Sequence, residues 1–240
     1  MSPRIAVVVG ASGGLGRALV SELLTEPGWG LVVGVGRRKP SDWPDDPRTP
    51  FLTADLLDEV ALSKLAGEIA ALGTPGLVII ATGLLHAEGL KPEKAMRAVS
   101  AASMTRLFEV NAILPTLVAK HLAPLLPKDE PSVLAALSAR VGSIGDNRLG
   151  GWHAYRASKA ALNMMFRCQA IELARERPLA VCVTLHPGTV ATPLSAPFAR
   201  SSSTVLEPVE SARRLLKVLH RLEPADSGGF FAYDASRVSW

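Results

Sequence analysis

A buried strand that runs straight into a glycine turn and then a helix constrains this chain more than any other stretch. Ile5-Ala-Val-Val-Val9 is a continuous apolar, largely β-branched run, the pattern of a strand covered on both faces. Gly10-Ala-Ser-Gly-Gly-Leu-Gly16 follows at once, and then a helical pattern through Leu19, Leu23 and Leu24. Strand, glycine turn and helix together form a phosphate-binding device. Glycines permit the tight turn and close backbone approach, while the helix N-terminus offers free N–H groups and a positive dipole end to a pyrophosphate. Gly10, Ser12, Gly13, Gly14, Leu15 and Gly16 are therefore candidate cofactor residues. The spacing fits two variants of the motif, and an ordinary glycine-rich turn is the bland alternative.

A second apolar strand, Leu31 to Val35, ends at Gly36-Arg37-Arg38. A dinucleotide site meets the adenosine ribose at this point. An acid there would accept from the 2′-hydroxyl, whereas an arginine would bind a 2′-phosphate. No acid stands at the strand end and Arg37 is the natural clamp, which points to NADP(H). Pro40, Pro44, Pro47 and Pro50 leave no room for a crossover helix, so an irregular connection is expected. Phe51 to Ala54 reads as a short third strand. Asp55, beside Leu56, closes it as a helix cap or an adenine-edge contact before a helix over 58–71. Leu77 to Ile80 is a fourth strand, leading to Ala81-Thr82-Gly83 and a loop of about twenty residues, long enough to be functional or mobile.

The helix expected from Ser103 to Leu126 carries Asn111 on its apolar stripe, with Pro115 four residues later. Proline has no N–H to give the carbonyl of residue 111, so a kink is expected there, with that oxygen free to bind something else. Strand five, Pro131 to Leu137, runs into Ser138-Ala-Arg-Val-Gly-Ser143. A long apolar helix then carries Tyr155-Arg-Ala-Ser-Lys159. Its apolar residues cover more than one face, which implies central burial or a subunit interface. Leu179 to Leu185 is strand six, and His186-Pro187-Gly188 leads into a Ser-, Thr- and Pro-rich segment, 189–205, that reads as a mobile lid. A helix from Glu207 to Leu222 and a strand around 229–233 complete the chain. Strands alternate with helices without repeat or linker, which argues for one α/β domain over 1–240: a doubly wound parallel sheet of about seven strands with helices on both faces.

Tyr155 and Lys159 lie four residues apart, one above the other on a helix face. A phenol titrates near pH ~10, and a cation at ~4 Å in an effective dielectric of about 20 attracts phenolate by roughly 4 kcal/mol. The pair is thus expected to bring the phenol towards working pH. Metal and nucleic-acid chemistry are poor alternatives, because the five histidines lack ligand spacing and the short basic clusters lack interleaved aromatics. No run is long and apolar enough to span a membrane. Cys168 and Cys182 fall in expected core elements and read as buried thiols, consistent with a reducing cytoplasm.

Taken together and in order, GASGGLG, the strand-end Arg37, Asn111, YRASK and HPG resemble the short-chain dehydrogenase/reductase family over essentially the whole chain. GSIGDN, GGWHAYRASKAALN, LHPGTVATPL and the terminal GGFFAYD look like its C-factor/sniffer-like carbonyl reductase branch. The resemblance implies a Rossmann-type fold and a cytoplasmic NADPH-dependent reductase of small-molecule carbonyls. In it Tyr155 is the general acid, Lys159 lowers the phenol's pKa and holds the nicotinamide ribose, and Asn111 anchors a water through its main-chain oxygen. Pro187, Gly188, Val190 and Thr192 would lie at the nicotinamide end, and Ala81, Thr82 and Gly83 beneath the cofactor.

Two departures stand out. Ala81-Thr82-Gly83 replaces the family's NNAG-like motif, and family spacing puts Gly142 or Ala139 where the carbonyl-polarising serine commonly sits. Ser138 and Ser143 are the available hydroxyls, Ser138 being favoured because it ends the strand. Trp152 and His153 are expected at the pocket rim, and apolar helices around Asn111 and Met165 suggest a homodimer or homotetramer, with a monomer as the alternative. A nucleotide-binding signalling protein with incidental turnover is the competing function. A sugar-nucleotide epimerase would need a larger substrate domain.

Overall fold

The computed structural model describes residues 3–198 and 204–240. Seven parallel strands form one sheet in the order β3-β2-β1-β4-β5-β6-β7. They are β1 (Arg4–Val9), β2 (Leu31–Gly36), β3 (Phe51–Thr53), β4 (Thr74–Ile80), β5 (Ser132–Leu137), β6 (Ala180–His186) and β7 (Phe230–Ala232). β1 pairs with β2 on one side, Val7 opposite Val33, and with β4 on the other, Val7 opposite Val78. The strand order therefore reverses beside β1, and ligands of open α/β sheets bind at the carboxyl ends of strands at such a point.

The alternation along β1 divides two cores. Ile5, Val7 and Val9 pack with α2 (Glu59–Leu72), α4 (Leu114–Leu122) and α5 (His153–Glu176). Ala6 and Val8 face α1 (Gly14–Thr25) and α6 (Pro208–Leu219). Both faces of the strand are fully buried, as its unbroken apolar run requires. Among the described residues no helix is long and apolar enough to cross a membrane.

No helix forms across the proline-rich stretch 40–50, as expected. What replaces it is Trp43, 7% exposed, whose indole covers the sheet where Gly34 leaves a notch. A Cβ on Gly34 would collide with the Trp43 ring. The indole N–H donates to the Thr49 carbonyl at 2.9 Å, and the ring meets Phe51 edge-on at 4.7 Å. One aromatic plug thus does the covering that a crossover helix would do.

The expected single helix over 103–126 is three pieces: α3 (Ala101–Phe108), a π-helical turn at Glu109–Ile113, and α4, with a 3₁₀ turn at Ala123–Leu125. The interruption lies where Asn111 and Pro115 place it, but the ladder widens to i+5 bonds instead of breaking sharply. Asp55 does not cap α2. Its carboxylate accepts from Leu57 N–H at 3.0 Å in a local turn, and Asp58 is the cap, accepting from Val60 N–H at 2.9 Å. On α5, Leu162, Phe166 and Ala170 are buried, whereas Met164, Met165 and Ile171 are exposed. Cys182 is buried as expected, but Cys168 lies on the exposed side of α5, because its position falls off the buried stripe. Of the expected lid, residues 199–203 lie outside the described residues; Val190 and Leu206 pair across its base.

Candidate active site

The glycine turn is a cradle made by removing side chains. Gly10 adopts φ +82°, and a Cβ there would lie 3.0 Å from the backbone of Ala81 and Thr82. Only glycine lets the ends of β1 and β4 approach so closely. At Gly16 a Cβ would strike the Gly10 carbonyl, so the first turn of α1 sits directly on the loop. Gly13 caps α1 with no side-chain bond, which leaves the helix's first N–H groups for a ligand. Two further parts converge on the turn. Ser12 Oγ lies 3.3 Å from where a Gly36 Cβ would stand, so it sits at the end of β2, where exposed Arg37 follows. The Thr192 methyl lies 3.1 Å from a Cβ placed on Gly14, so the segment after β6 closes over the same loop.

This set fits the phosphates and adenosine of a dinucleotide. Leu15 is partly buried against the α1-side core, and the Leu56 side chain is buried in the α2-side core. Leu56 can therefore contribute only main-chain atoms. Asp55 is exposed beside the end of β2, where Ala54 N–H donates to the Gly36 carbonyl at 3.2 Å.

The other half of the site is built on α5. Tyr155 is 7% exposed and packs with Leu85, Leu90, Leu107 and Ala154, and Trp152, Leu194 and Phe198 lie against the same cluster. Lys159 is 3% exposed, and its ammonium donates to the Leu137 carbonyl at 2.8 Å. Gly83 completes this corner: a Cβ on it would stand 3.7 Å from Lys159 Nζ and 3.8 Å from Asn111 Oδ1.

Asn111 is fully buried in the π turn. Its Oδ1 accepts from Leu84 N–H at 2.8 Å; its Nδ2 donates to the Leu84 carbonyl at 2.8 Å and to Ser158 Oγ at 3.1 Å. Ser158 in turn donates to the Tyr155 carbonyl at 2.9 Å. The amide side chain thus pins the loop after β4 to the helix that carries the Tyr/Lys pair. The sequence offered a signal for Ser158, the serine inside YRASK, but its partners lie 27 and 47 residues apart around Asn111.

The electrostatics correct one expectation. Burial pushes the Tyr155 phenol up to about 12 and the Lys159 ammonium down to about 7. Desolvation is the cause for both, because each group is buried and burial disfavours its charged form. His186, at the end of β6, is lowered to about 4, mainly by burial, with the Arg140 charge adding and the Asp234 charge opposing.

The two candidate serines differ in occupation. Ser143 Oγ accepts from Asp146 N–H at 3.1 Å and so builds its own loop. Ser138 is 4% exposed, its hydroxyl has no partner among the described residues, and its N–H donates to the Leu185 carbonyl at 2.7 Å. It follows directly on Leu137, whose carbonyl holds Lys159. Thr82 Oγ1 is likewise buried without a partner among the described residues, on the segment that replaces the NNAG-like motif. Pro187 accepts from Ser211 Oγ at 2.7 Å, Gly188 takes φ +82° against the Tyr233 ring, and Val190 is buried.

A model described as short chain dehydrogenase matches residues 4–202. The chain belongs to the short-chain dehydrogenase family. This short-chain dehydrogenase is similar to the C-signal of Myxococcus xanthus, 38% identical over 146 residues that span 61% of this chain and 84% of that protein. Among solved structures it superposes on the carbonyl reductase Sniffer of D. melanogaster with a TM-score of 0.87 and 25% identity, covering 100% of both chains. A short-chain dehydrogenase/reductase of Burkholderia multivorans, solved with bound NADP, gives a TM-score of 0.82 and 31% identity, again over 100% of both chains. The dehydrogenase is thus an oxidoreductase of the C-factor/sniffer-like branch.

Proposed function

We propose that this short-chain dehydrogenase is an NADPH-dependent carbonyl reductase, with Tyr155 as the proton donor. The observation that carries the reading is the buried Tyr155 phenol, four residues before a buried Lys159 on one helix face and pushed up to about 12. A phenol in that range is fully protonated at neutral pH, the state a general acid must start from. NADPH, which supplies hydride when bound, would lie on Gly10–Gly16 and the first amides of α1, with Arg37 at its 2′-phosphate and Thr192 over the glycine turn. The NADP-bound Burkholderia multivorans relative supports the choice of cofactor.

The chain's own groups then divide the work on the carbonyl. Ser138, whose hydroxyl is buried and uncommitted, donates to the substrate oxygen and polarises it. Tyr155 gives its proton to that oxygen as negative charge develops there. Lys159, fixed by the Leu137 carbonyl, offsets the phenolate that remains. Asn111 holds the Leu84 loop and Ser158, and so keeps the helix register under the phenol. Leu85, Leu90, Trp152, Leu194 and Phe198 exclude water around it.

The C-signal likeness favours a second reading, in which the chain binds NADP(H) for a signalling role and turnover is incidental. Both readings are separated by NADPH oxidation against a panel of ketones, aldehydes and quinones. The parent is expected to turn over at least one of them and Tyr155→Phe to lose at least a hundredfold in kcat with NADPH affinity retained. A Tyr155→Phe chain as active as its parent overturns the proton-donor assignment. Binding without turnover across the whole panel favours the signalling reading.

A further inference from the structure

α5 carries the reacting phenol but does not cap itself. Trp152, at the cap position, adopts left-handed φ +50° and makes no side-chain cap bond, and the first turn holds no acid. The cap comes from 61 residues upstream. Glu93, only 4% exposed, accepts Trp152 N–H on its main-chain oxygen at 2.5 Å and Ala154 N–H on Oε2 at 3.3 Å. Its other oxygen, Oε1, is buried without a partner among the described residues. The approach is tight: Gly151, at φ +64°, would bring a Cβ to 3.3 Å from the Glu93 carbonyl. Glu93 therefore takes up two of the free N–H groups at the start of α5, the second of them immediately before Tyr155.

Glu93 belongs to the long segment between β4 and α3, which also supplies Leu85 and Leu90, two of the residues packed on Tyr155. Asn111 fastens that segment at Leu84, and Glu93 fastens it again at the helix end. The pocket wall and the phenol are thereby clamped to one another at two points, one on each side of the wall. A carboxyl that is buried this deeply, with one oxygen unsatisfied, is costly for the fold and has to be offset by what it organises.

We infer that Glu93 is a positioning residue for the reaction: acting through the N-terminus of α5, it sets Tyr155 against the 84–98 wall. The inference rests on the proposal that Tyr155 is the proton donor. It requires reach and an acceptor oxygen, so Glu93→Gln, which keeps both, should restore most of what Glu93→Asp, one methylene short, loses.

The test is steady-state kinetics of the full chain with NADPH and its best carbonyl, on variants whose folding is checked by circular dichroism and thermal melting. Glu93→Asp is expected to lose about tenfold to a hundredfold in kcat, as misplacement of a reacting group does. NADPH affinity should stay within about threefold, because the glycine cradle lies elsewhere. Glu93→Gln should lie within about fivefold of the parent. A merely structural carboxyl would lower the melting temperature of both variants and leave kcat per folded molecule unchanged, and that result overturns the inference. So does Gln failing while Asp succeeds, which would assign the effect to charge. Tyr155→Phe run alongside separates the two levels. If it is active, the proposed function fails whatever Glu93 does; if it is inactive and the Gln/Asp pattern is absent, only the positioning role fails.

Discussion

Ser138 and Ser143 show how much a single hydrogen bond decides. Both were legible in the sequence as hydroxyls near the end of β5, and Ser138 was favoured only because it ends the strand. Ser143 is committed to Asp146 N–H while Ser138 Oγ is buried with no partner among the described residues, a distinction that loop closure makes. Ser138→Ala is expected to lower kcat/KM for carbonyl reduction by about 100-fold, the scale of losing one donor to a developing oxyanion. Ser143→Ala should act chiefly on stability, by about 1 kcal/mol in thermal melts. Equal kinetic losses in both would remove the distinction. The same residue scale holds the least legible property, the titration of the pair. Four-residue spacing predicts attraction between Tyr155 and Lys159, whereas the depth at which they are buried decides the outcome.

The sign of the lysine effect can be worked through. Lys159 titrates at about 7 in the fold and near 10.5 in an unfolded chain, so burial disfavours its charged form. Below about pH 7 both states carry the proton and the full penalty applies. Between there and 10.5 the unfolded state binds more protons, and this group's contribution to stability rises with pH. Lys159→Met removes the penalty. It is expected to raise the melting temperature at pH 6 by a few degrees, with the gain shrinking towards pH 10, while abolishing turnover. A variant less stable than its parent at pH 6 would contradict this.

At the scale of elements, the strand–turn–helix start was readable because each part has a local signature: the β-branched run, the glycines, the apolar spacing of α1. The end of β2 was readable for the same reason. Arg37 is exposed there, next to Gly36, whose Cβ position lies 3.3 Å from Ser12 Oγ. Arg37→Ala is expected to weaken NADPH binding about tenfold or more and to leave NADH binding nearly unchanged, measured by fluorescence titration. Equal losses for both cofactors would move the 2′-phosphate contact elsewhere. The π turn was half readable. Asn111 and Pro115 announced a fault in the helix, but whether it opens as a kink or widens as an i+5 turn depends on what grips the amide, and Leu84 and Ser158 lie far off in sequence. The Glu93 cap had no local signature at all, since an acid in a long loop looks like any solvated acid.

For the whole molecule, doubly wound architecture followed from alternating strands and helices, and the strand order then placed both halves of the site at the carboxyl edge of the sheet. What composition could not foretell is how the layer on the α1 side is closed where prolines forbid a helix. Trp43 does it, seated over Gly34. Trp43→Ala is expected to destabilise the fold by about 3–5 kcal/mol in denaturant melts, as removal of a buried large aromatic does. A loss under 1 kcal/mol would mean that the plug is decoration. Gly34 and Trp43 are a matched pair, so neither is interpretable alone in the sequence.

The indole of Trp43 has a further use, as an observer. Its neighbour Asp42 is paired with Arg17 of α1 at 2.5 Å, which ties it to the helix that follows the glycine turn. Trp152 meets Tyr155 edge-on at 6.1 Å and Phe198 at 5.0 Å, beside the proposed proton donor. The chain has four tryptophans; of the other two, Trp29 lies under the Arg4 guanidinium and Trp240 stacks on Phe230. Uniform 5-fluorotryptophan labelling would therefore give a fluorine spectrum in which one resonance reports nucleotide arrival and another reports what happens above the phenol, in the same tube and without altering a catalytic group.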